Sequence, residues 1–457
     1  MRTNRWFNGR RAASVLVVCL LVWGAAPPPA AAQCEVAKLL AFDGAADDQF
    51  GRSVSISGDV AVVGAWQHDL NGSNSGSAYI FRFNGLSWVQ EAKLLASDGA
   101  AGHRLGNSVS ISGDVVVVGA FGGEGIVAVS GSAYVFQKPP GGWVDMTETA
   151  KLTASDGAFQ DFFGNSVSIS GEVVVVGAVK DDDNGDRSGS AYVFVKPPGG
   201  WVDMTQTAKL TASDGALFDE FGISVSISGD VAVVGAYRDD DNGQDSGSAY
   251  VFVQPPGGWV DMSQTAKLTA SDGAFDDRFG ISVSISGDVI VVGAQFGDGI
   301  VVDSGSAYVF QKPVGGWVNM TQTAKLTASD GAINDEFGRS VSISGDVAVV
   351  GAQSDNDNGS FSGSAYVFQK PPGGWMNMTE TAKLIASDGA ASDFFGSVSI
   401  SGEVVVVGAS RDDDNGENSG SSYVYVLSGV DCNRHGQLDA CDIFLGVTCD
   451  SNPTGIP

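Results

Sequence analysis

Carboxylates concentrated in one type of loop are the residues of this chain best suited to chemistry. Hard cations such as calcium take six to eight oxygen ligands, which aspartates, asparagines and backbone carbonyls supply. Asp, Asn and Gly are also ordinary turn residues, so solvated turns remain the alternative. The candidate ligands lie in four DDDNG-like loops: Asp181, Asp183, Asp239, Asp241, Asp355, Asp357, Asp412 and Asp414. An aspartate from the neighbouring link is expected to complete each site, and each link offers a pair, such as Asp156 with Asp161 or Asp214 with Asp219.

A second calcium candidate lies in residues 431–457. The stretch DCNRHGQLDACD fits a calcium-loop frame in which five residues take ligand positions: Asp431, Asn433, Gln437 (through its backbone carbonyl), Asp439 and Asp442. This stretch resembles the calcium loops of dockerin-type and thrombospondin type 3 repeats, and the resemblance implies calcium. A second copy begins at Asp450 and stops with the sequence. We therefore expect a truncated, Cys-containing tail with weak affinity.

The acidic loops belong to a unit that occurs seven times. The lysine of its AKL element recurs at Lys38, Lys93, Lys151, Lys209, Lys267, Lys325 and Lys383. A fixed period of this size indicates a solenoid, a propeller or an array. Each unit contains an alternating SVSIS segment, a continuous VVVVGA segment, SAYVF and AKLT, all of which read as strands. Four short strands per unit, joined by Gly-, Pro- and Asp-rich turns, predict the blade of a β-propeller.

The order of the strand signals predicts how the ring closes. The chain begins with a fourth strand near Lys38 and ends its last unit with a third strand near Tyr423. We therefore predict an all-β, seven-bladed β-propeller over residues 33–430, closed by an N-terminal strand that completes the last blade. The loops between the second and third strands and the links from each fourth strand to the next blade should emerge on one face of the ring, which we call the loop face. The fourth-strand lysines are expected to protect the outer edge of each blade from pairing with other chains.

The units resemble the FG-GAP repeats of integrin α-subunit propellers and of many secreted bacterial proteins. The Phe-Gly element occurs in six units, for example Phe163-Gly164, and is Leu105-Gly106 in the second. The Gly-Ala element is present in all seven, but no proline follows it. In family members that bind calcium, the acidic loop lies between the first two strands, where this chain has only a tight hairpin such as Gly171-Glu172. The family's metal residues are therefore not carried over to that position.

Residues 1–32 predict a secretory signal peptide. Four arginines precede an apolar stretch, and Ala30-Ala31-Ala32 offers a cleavage site. The apolar stretch is short for a membrane span. We therefore expect a secreted or cell-surface protein. The cysteines that follow the signal should then form disulfides, with the pairing open: Cys34, Cys432, Cys441 and Cys449.

Charge and motif content favour a binder over an enzyme. The net charge of −28 excludes nucleic acid as a natural partner. His68, His103 and His435 are read as lying outside repeated positions, and catalytic motifs such as H-E-x-x-H and G-x-S-x-G are missing. Carboxylate pairs leave an extracellular hydrolase as the weakest alternative. The aspartates are expected in polar loops that would not raise their pKa values.

Apolar and aromatic residues define the remaining alternatives. One tryptophan recurs per full unit, either to pack within the blade or to stack on sugars, which keeps a carbohydrate-binding propeller open. In units two and five, apolar residues replace the acids; we expect no metal there, and expect these residues to pack on a neighbouring loop or to contact a partner: Ile126, Val127, Ile300 and Val301. The sequence thus predicts a monomeric, non-enzymatic adhesion scaffold. It would bind an extracellular protein or glycan through the acidic face, with calcium as the candidate cofactor.

Overall fold

The computed structural model describes residues 33–427, and these form seven antiparallel blades without a helix. The all-β, seven-bladed prediction is confirmed. The predicted signal peptide, residues 1–32, lies outside the described residues. So does the predicted calcium tail, with Asp431, Asn433, Gln437, Asp439 and Asp442.

The strands of each blade follow chain order from the inside outward. The innermost strands are Phe50–Ser57, Ser108–Ser112, Phe163–Ser170, Ser224–Ser228, Phe279–Ser286, Phe337–Ser344 and Phe395–Ser401. The second strands are Val60–Ala65, Val115–Ala120, Val173–Ala178, Val231–Ala236, Val289–Ala294, Val347–Ala352 and Val404–Ala409. The third strands are Ser77–Phe83, Ser132–Gln137, Ser190–Val195, Ser248–Val253, Ser306–Gln311, Ser364–Gln369 and Ser421–Leu427. The fourth strands of blades one to six are Trp88–Leu95, Ala150–Thr153, Ala208–Thr211, Ala266–Thr269, Ala324–Thr327 and Ala382–Leu384.

The N-terminal strand Gln33–Leu39 supplies the fourth strand of blade seven. It pairs antiparallel with Ser421–Leu427, and Lys38 lies opposite Tyr423. Blade seven therefore combines the first and the last described strands of the chain, as predicted. Closing the ring in this way removes the free sheet edges that an open array would expose.

The fourth strands of blades one to five are not free edges, which corrects one expectation. A two-residue strand from the following unit pairs in parallel with each of them, for example Met146 opposite Leu94. These short strands are Met146–Thr147, Met204–Thr205, Met262–Ser263, Met320–Thr321 and Met378–Thr379. Protection of a free edge by the lysine was therefore a wrong interpretation for these five blades, whereas in blades six and seven the fourth strand is the outermost described strand. The lysine side chains turn toward the acidic loops.

The apolar core lies between neighbouring blades. Each cluster combines the second and third strands of one blade with the inner strand of the next; one example contains Val117, Phe163 and Trp201. Serines of the inner strands add a ring of hydrogen bonds around the axis. The Ile111 amide donates to Ser55 Oγ at 3.1 Å, and the seventh such bond runs from the Ile56 amide to Ser399 Oγ at 3.1 Å. Small serines therefore join the crowded inner strands as well as fitting between them.

The Phe-Gly and Gly-Ala elements meet where adjacent blades approach most closely. A Cβ added to Gly177, in the Gly-Ala element of blade three, would lie 2.0 Å from the carbonyl oxygen of Gly222 in the Phe-Gly element of blade four. The Phe-Gly glycine also has a positive φ, 90° at Gly222, which residues with a side chain rarely adopt. The repeated glycines are thus required by the contact between blades.

Candidate functional site

Four clusters of three aspartates lie on the loop face. In each cluster, two carboxylates from the loop after the second strand lie with one from the SDGA link, and their ligand atoms are within 4.8 Å of one another. We call these clusters the aspartate triads: Asp156, Asp181 and Asp183 in blade three; Asp214, Asp239 and Asp241 in blade four; Asp330, Asp355 and Asp357 in blade six; Asp388, Asp412 and Asp414 in blade seven. The structure therefore brings together all eight loop aspartates that the sequence singled out, each with a link aspartate.

A lysine of the fourth strand occupies the centre of each triad. In blade three, Lys209 Nζ lies 2.7 Å from Asp156 and 3.2 Å from Asp181, and it also contacts Asp183. Lys267, Lys383 and Lys38 make the corresponding contacts in blades four, six and seven. One protein ammonium thus faces three carboxylates in every triad.

The central aspartate of each triad is buried and fully hydrogen-bonded. Asp181 is 3% exposed and accepts hydrogen bonds from Ser190 Oγ at 2.9 Å and from the Tyr192 hydroxyl at 2.7 Å. Burial first, and then the neighbouring carboxylates, raise the pKa of Tyr192, so its proton stays on the hydroxyl.

The ammonium and the link aspartate hold each other in the charged state. Burial opposes the charge of Lys209, but its hydrogen bonds to Asp156 and Asp183 raise its pKa above the usual value. Burial likewise opposes the charge of Asp156, but the hydrogen bond from Lys209 keeps its pKa below the usual value. In each triad, the lysine and the link aspartate are therefore both charged at neutral pH.

The carboxylate oxygens of a triad suit a hard cation, but the lysine ammonium already occupies the position that such a cation would take. Aspartate clusters of this kind can bind a metal ion, and carboxylate oxygens are the ligands calcium prefers. Here the ammonium already contacts the same oxygens, and Ser190 and Tyr192 use further lone pairs of Asp181. A calcium ion would have to displace Lys209 before it could bind. The residues present thus fit an internal cation better than a resident metal.

The other blades show how the triad varies. In blade one, His68 replaces the central aspartate, and its Nε2 lies 3.1 Å from Lys93 Nζ. Burial and the Lys93 charge lower the pKa of His68, so the neutral imidazole can accept a hydrogen bond from the ammonium. In blades two and five, the lysine instead donates to a backbone carbonyl, as Lys151 does to Glu124 at 2.5 Å. Within residues 33–427, neither of those two blades contains a triad.

The positions of two histidines within their repeats correct the interpretation made from the sequence. His68 occupies the position of Asp181, and His103 occupies that of Asp161. Both lie in repeated positions, contrary to the expectation. The signal that could have revealed this is the shared distance from the Gly-Ala and SDGA elements.

In six of the seven links, a second aspartate has a raised pKa, which also corrects an expectation. Burial raises the pKa of Asp161 to about 6 and that of Asp219 to about 7. The corresponding residues with pKa values raised to about 6 are Asp48, Asp277, Asp335 and Asp393. These carboxyls are buried and accept their own loop's amide, as Asp161 does from Ala158 at 2.6 Å. They act as loop caps beyond the reach of a substrate.

The tryptophans pack inside the protein. Five of the six are buried, and each lies in or beside a core cluster between two blades: Trp143, Trp201, Trp259, Trp317 and Trp375. Trp88, in blade one, is partly buried against the core. Buried rings cannot stack on a sugar, so the structure contradicts a carbohydrate site built from these tryptophans.

The apolar loop residues of blades two and five are exposed. Ile126 is 53% exposed and Ile300 is 49% exposed, and Val127 and Val301 are exposed as well. Packing on a neighbouring loop was therefore the wrong alternative for these residues. Contact with a partner stays a prediction for these side chains.

The closed ring of seven repeated sheets defines this chain as a β-propeller whose blades meet through Phe-Gly and Gly-Ala elements. The model of the FG-GAP repeat family matches residues 34–81, 88–136, 146–194, 204–252, 262–310, 320–368 and 378–425. These matches cover most of the chain, and the protein belongs to the FG-GAP repeat family. A search of curated proteins found no matching relative.

Family membership carries coarse functional information. FG-GAP propellers are generally non-enzymatic and typically extracellular, and their repeats often bind calcium. The fold is consistent with a protein-interaction scaffold. Among residues 33–427, no helix has the length and apolar character needed to cross a bilayer.

Proposed function

We propose that this protein is a secreted, monomeric, non-enzymatic scaffold that binds an extracellular protein through its loop face. The observation that carries the proposal is an arc of exposed apolar side chains on that face. The arc comprises the residues that follow SDGA in four consecutive blades, three to six: Phe159, Leu217, Phe275 and Ile333. We call this set the apolar arc.

The apolar arc is exposed and confined to one side of the ring. Its four side chains are between 60% and 69% exposed. Blades seven, one and two carry alanine at the same position: Ala391, Ala46 and Ala101. Folding gains nothing from exposing large apolar groups, and contiguous exposed apolar surface marks interaction sites. An asymmetric arc on a ring of near-identical units therefore indicates a surface for one partner.

The carboxylates around the apolar arc favour a partner with positive charge. Exposed carboxylates such as Asp182 and Asp240 stand in the neighbouring loops. Complementary charge steers association and suppresses wrong partners. We therefore propose a partner that offers apolar anchors within a basic rim.

Paired variants on the two halves of the loop face test this proposal. The double variant Phe159→Ser and Phe275→Ser removes two arc side chains, and Phe42→Ser removes an equally exposed ring at the link to blade one. The extracellular proteins of the source cells would be passed over each immobilised variant, and the retained proteins identified by mass spectrometry. Proteins kept by wild type and Phe42→Ser but lost by the double variant would support the arc. Identical retention by all three would refute it.

A glycan partner is the competing proposal, and a glycan array separates the two. Because the repeated tryptophans are buried, glycan binding would have to use other residues of the loop face. Saturable glycan binding that survives in the Phe159→Ser and Phe275→Ser double variant would replace the protein partner by a carbohydrate.

We also propose that lysine ammonium groups, rather than calcium ions, are the cations of the four aspartate triads. The support is the position of Lys209 and its counterparts among the same carboxylate oxygens that a metal would need. The loops would then hold their shape in the presence of a chelator. Calcium binding by Asp431, Asn433, Gln437, Asp439 and Asp442 stays a separate prediction for the tail.

A further inference from the structure

The position after the Phe-Gly element varies among the inner strands, although the rest of the strand is nearly constant. It is occupied in blades one to six by Arg52, Asn107, Asn165, Ile223, Ile281 and Arg339. Blade seven lacks this residue, because Phe395-Gly396 is followed directly by Ser397-Val398. The strand register reflects the deletion, since the irregularity spans Phe395 to Ser397 there and Phe50 to Ser53 in blade one. The ring of residues around the axis is thus one member short at blade seven.

The two arginines flank that missing member. Blade seven packs between blade one, which carries Arg52, and blade six, which carries Arg339. On another part of the ring, Asn107 Nδ2 donates to the Asn165 carbonyl at 2.9 Å, and Asn165 Nδ2 donates to the Ile223 carbonyl at 3.3 Å. Those blades are joined by hydrogen bonds at this level. A central cavity bordered by residues of all seven blades lies at this level, and the two arginines line it on either side of blade seven.

The cavity is lined by two arginines, by neutral polar groups and by apolar side chains such as Ile223 and Ile281. Its volume is about 290 Å³, and its walls include Arg52, Arg339, Gln353 and Ser397. Arg52 and Gln353 also line an adjoining cavity of about 350 Å³, which extends to Trp66 and Arg411. Among residues 33–427, none of those that line either cavity carries a carboxylate. In a protein with 53 acidic and 25 basic residues, two adjoining cavities that share three arginines and no described carboxylate require an explanation.

These arginines have no anionic partner among residues 33–427. Arg82, Arg187, Arg238 and Arg278 form ion pairs with carboxylates within 4.0 Å, but Arg52, Arg339 and Arg411 do not. Arg339 donates to the Gln295 side chain at 2.5 Å, and the Arg52 guanidinium lies 5.6 Å from the centre of the Trp66 ring. Burial, together with the charges of Arg339 and Arg411, lowers the pKa of Arg52 to about 10. Like charges held together in a cavity are costly unless an anion compensates them.

We propose that this axial cavity, between Arg52 and Arg339 at blade seven, binds an oxyanion: a carboxylate, phosphate or sulfate group of a small ligand. A guanidinium presents a rigid fork of donors that matches two oxygens of such a group. The Gln353 amide supplies a neutral donor on the same wall, whereas the Ser397 hydroxyl already donates to the Arg52 carbonyl at 2.9 Å. The strongly negative protein surface would disfavour large polyanions and leave the cavity to small ones. This site is independent of the protein partner proposed for the apolar arc.

Calorimetric titration of the purified protein tests the site. Sodium sulfate, phosphate and acetate would be titrated separately at constant ionic strength, so that the three arms identify the preferred group. We expect saturable binding of at least one anion by wild type. Arg52→Gln and Arg339→Gln should each weaken it about tenfold or more, since each removes a charge-assisted hydrogen-bond donor. Arg82→Gln is the matched control, because Arg82 is already paired with Asp59 and Glu91.

An insertion variant guards against arginine variants that fail to fold. Placing an asparagine between Gly396 and Ser397 restores the residue that blade seven lacks and keeps every arginine. It should close the gap between Arg52 and Arg339 at blade seven and abolish anion binding, with the melting temperature confirming the fold. Equal binding by wild type, both arginine variants and the insertion variant would overturn the proposal. So would the failure of all three anions to bind wild type.

Discussion

Replacing Lys209 by methionine tests whether the protein supplies its own cation to an aspartate triad. Methionine keeps an unbranched apolar side chain and removes the ammonium. Lys209 and Asp181 have side chains only 10% and 5% exposed, so Asp181 would be left as a buried charge without its cation. Breaking a buried pair in this way costs about 3–5 kcal/mol. The contacts to Asp156 and Asp183, which are 41% and 50% exposed, add little because solvent screens them.

Blade five provides the matched control. Lys325 occupies the same position as Lys209 but contacts one carboxylate, that of Asp272, which is 44% exposed, and one backbone carbonyl, that of Asp298. Lys325→Met therefore leaves no buried carboxylate unpaired, and we expect it to cost about 1 kcal/mol. The two variants differ in the triad and share the same strand position.

Urea unfolding followed by tryptophan fluorescence, with and without calcium, measures both effects. We expect Lys209→Met to be the less stable variant and to regain stability in millimolar calcium, because its three carboxylates are then open to a metal ion. Wild type and Lys325→Met should unfold alike in calcium and in chelator. Equal losses for the two variants would refute the reasoning. So would a calcium effect on wild type as large as that on Lys209→Met.

Three further predictions concern the blades and their loops. Gly177→Ala should destabilise the protein by about 1–3 kcal/mol or more, measured by urea unfolding, because its Cβ would meet a carbonyl oxygen of blade four at 2.0 Å. Leu39→Ala, in the closing strand, should lower the free energy of unfolding by about 2–5 kcal/mol, because this side chain is buried. Leu86→Ala should be nearly neutral, because that side chain is 73% exposed. Equal melting temperatures for the two variants would contradict closure by the N-terminal strand. The pKa of Asp219 is about 7 in the folded protein, above its value in the unfolded chain. The protonated carboxyl therefore contributes its full stabilisation of the fold below about pH 4, and this stabilisation is lost as the pH rises toward 7. Asp219→Asn removes that loss, and its melting temperature relative to wild type should increase between pH 4 and pH 7; a constant difference would show that the carboxyl does not titrate there.

The architecture was predictable because every unit repeats the same signals in the same order. A chain that begins with a fourth strand and ends with a third has one way to close, and the pairing of Lys38 with Tyr423 confirms it. The parallel outer strands were missed because two residues such as Met146-Thr147 are too short to show a strand period. The repeats therefore predict the ring of seven blades but not the two-residue strands at the outer edge of five of them.

The aspartates of the candidate site could be predicted from the sequence, but the lysine ammonium at the centre of each triad could not. The triad carboxylates cluster in sequence patterns, but Lys209 lies 28 residues from Asp181 and 53 from Asp156. Its contacts exist only because the fourth strand places it beside Tyr192 of the third. The lysine also recurs in blades two and five, which lack the triad, so the sequence alone gave no reason to pair it with the acids. Burial of the link carboxyls, such as Asp219, was likewise a property of packing and not of composition.

The register of the closing strand also determines how the propeller would respond to tension. Gln33 lies opposite Leu427, so the described chain leaves the ring at both ends from the same point of one sheet. A pull applied between these two ends would open the strand pair like a zipper, breaking hydrogen bonds one after another at low force. A pull between the C-terminal end of Ser421–Leu427 and a ligand held on the loop face would run along the strands and load their hydrogen bonds together. The point of attachment would thus decide whether the ring opens or resists.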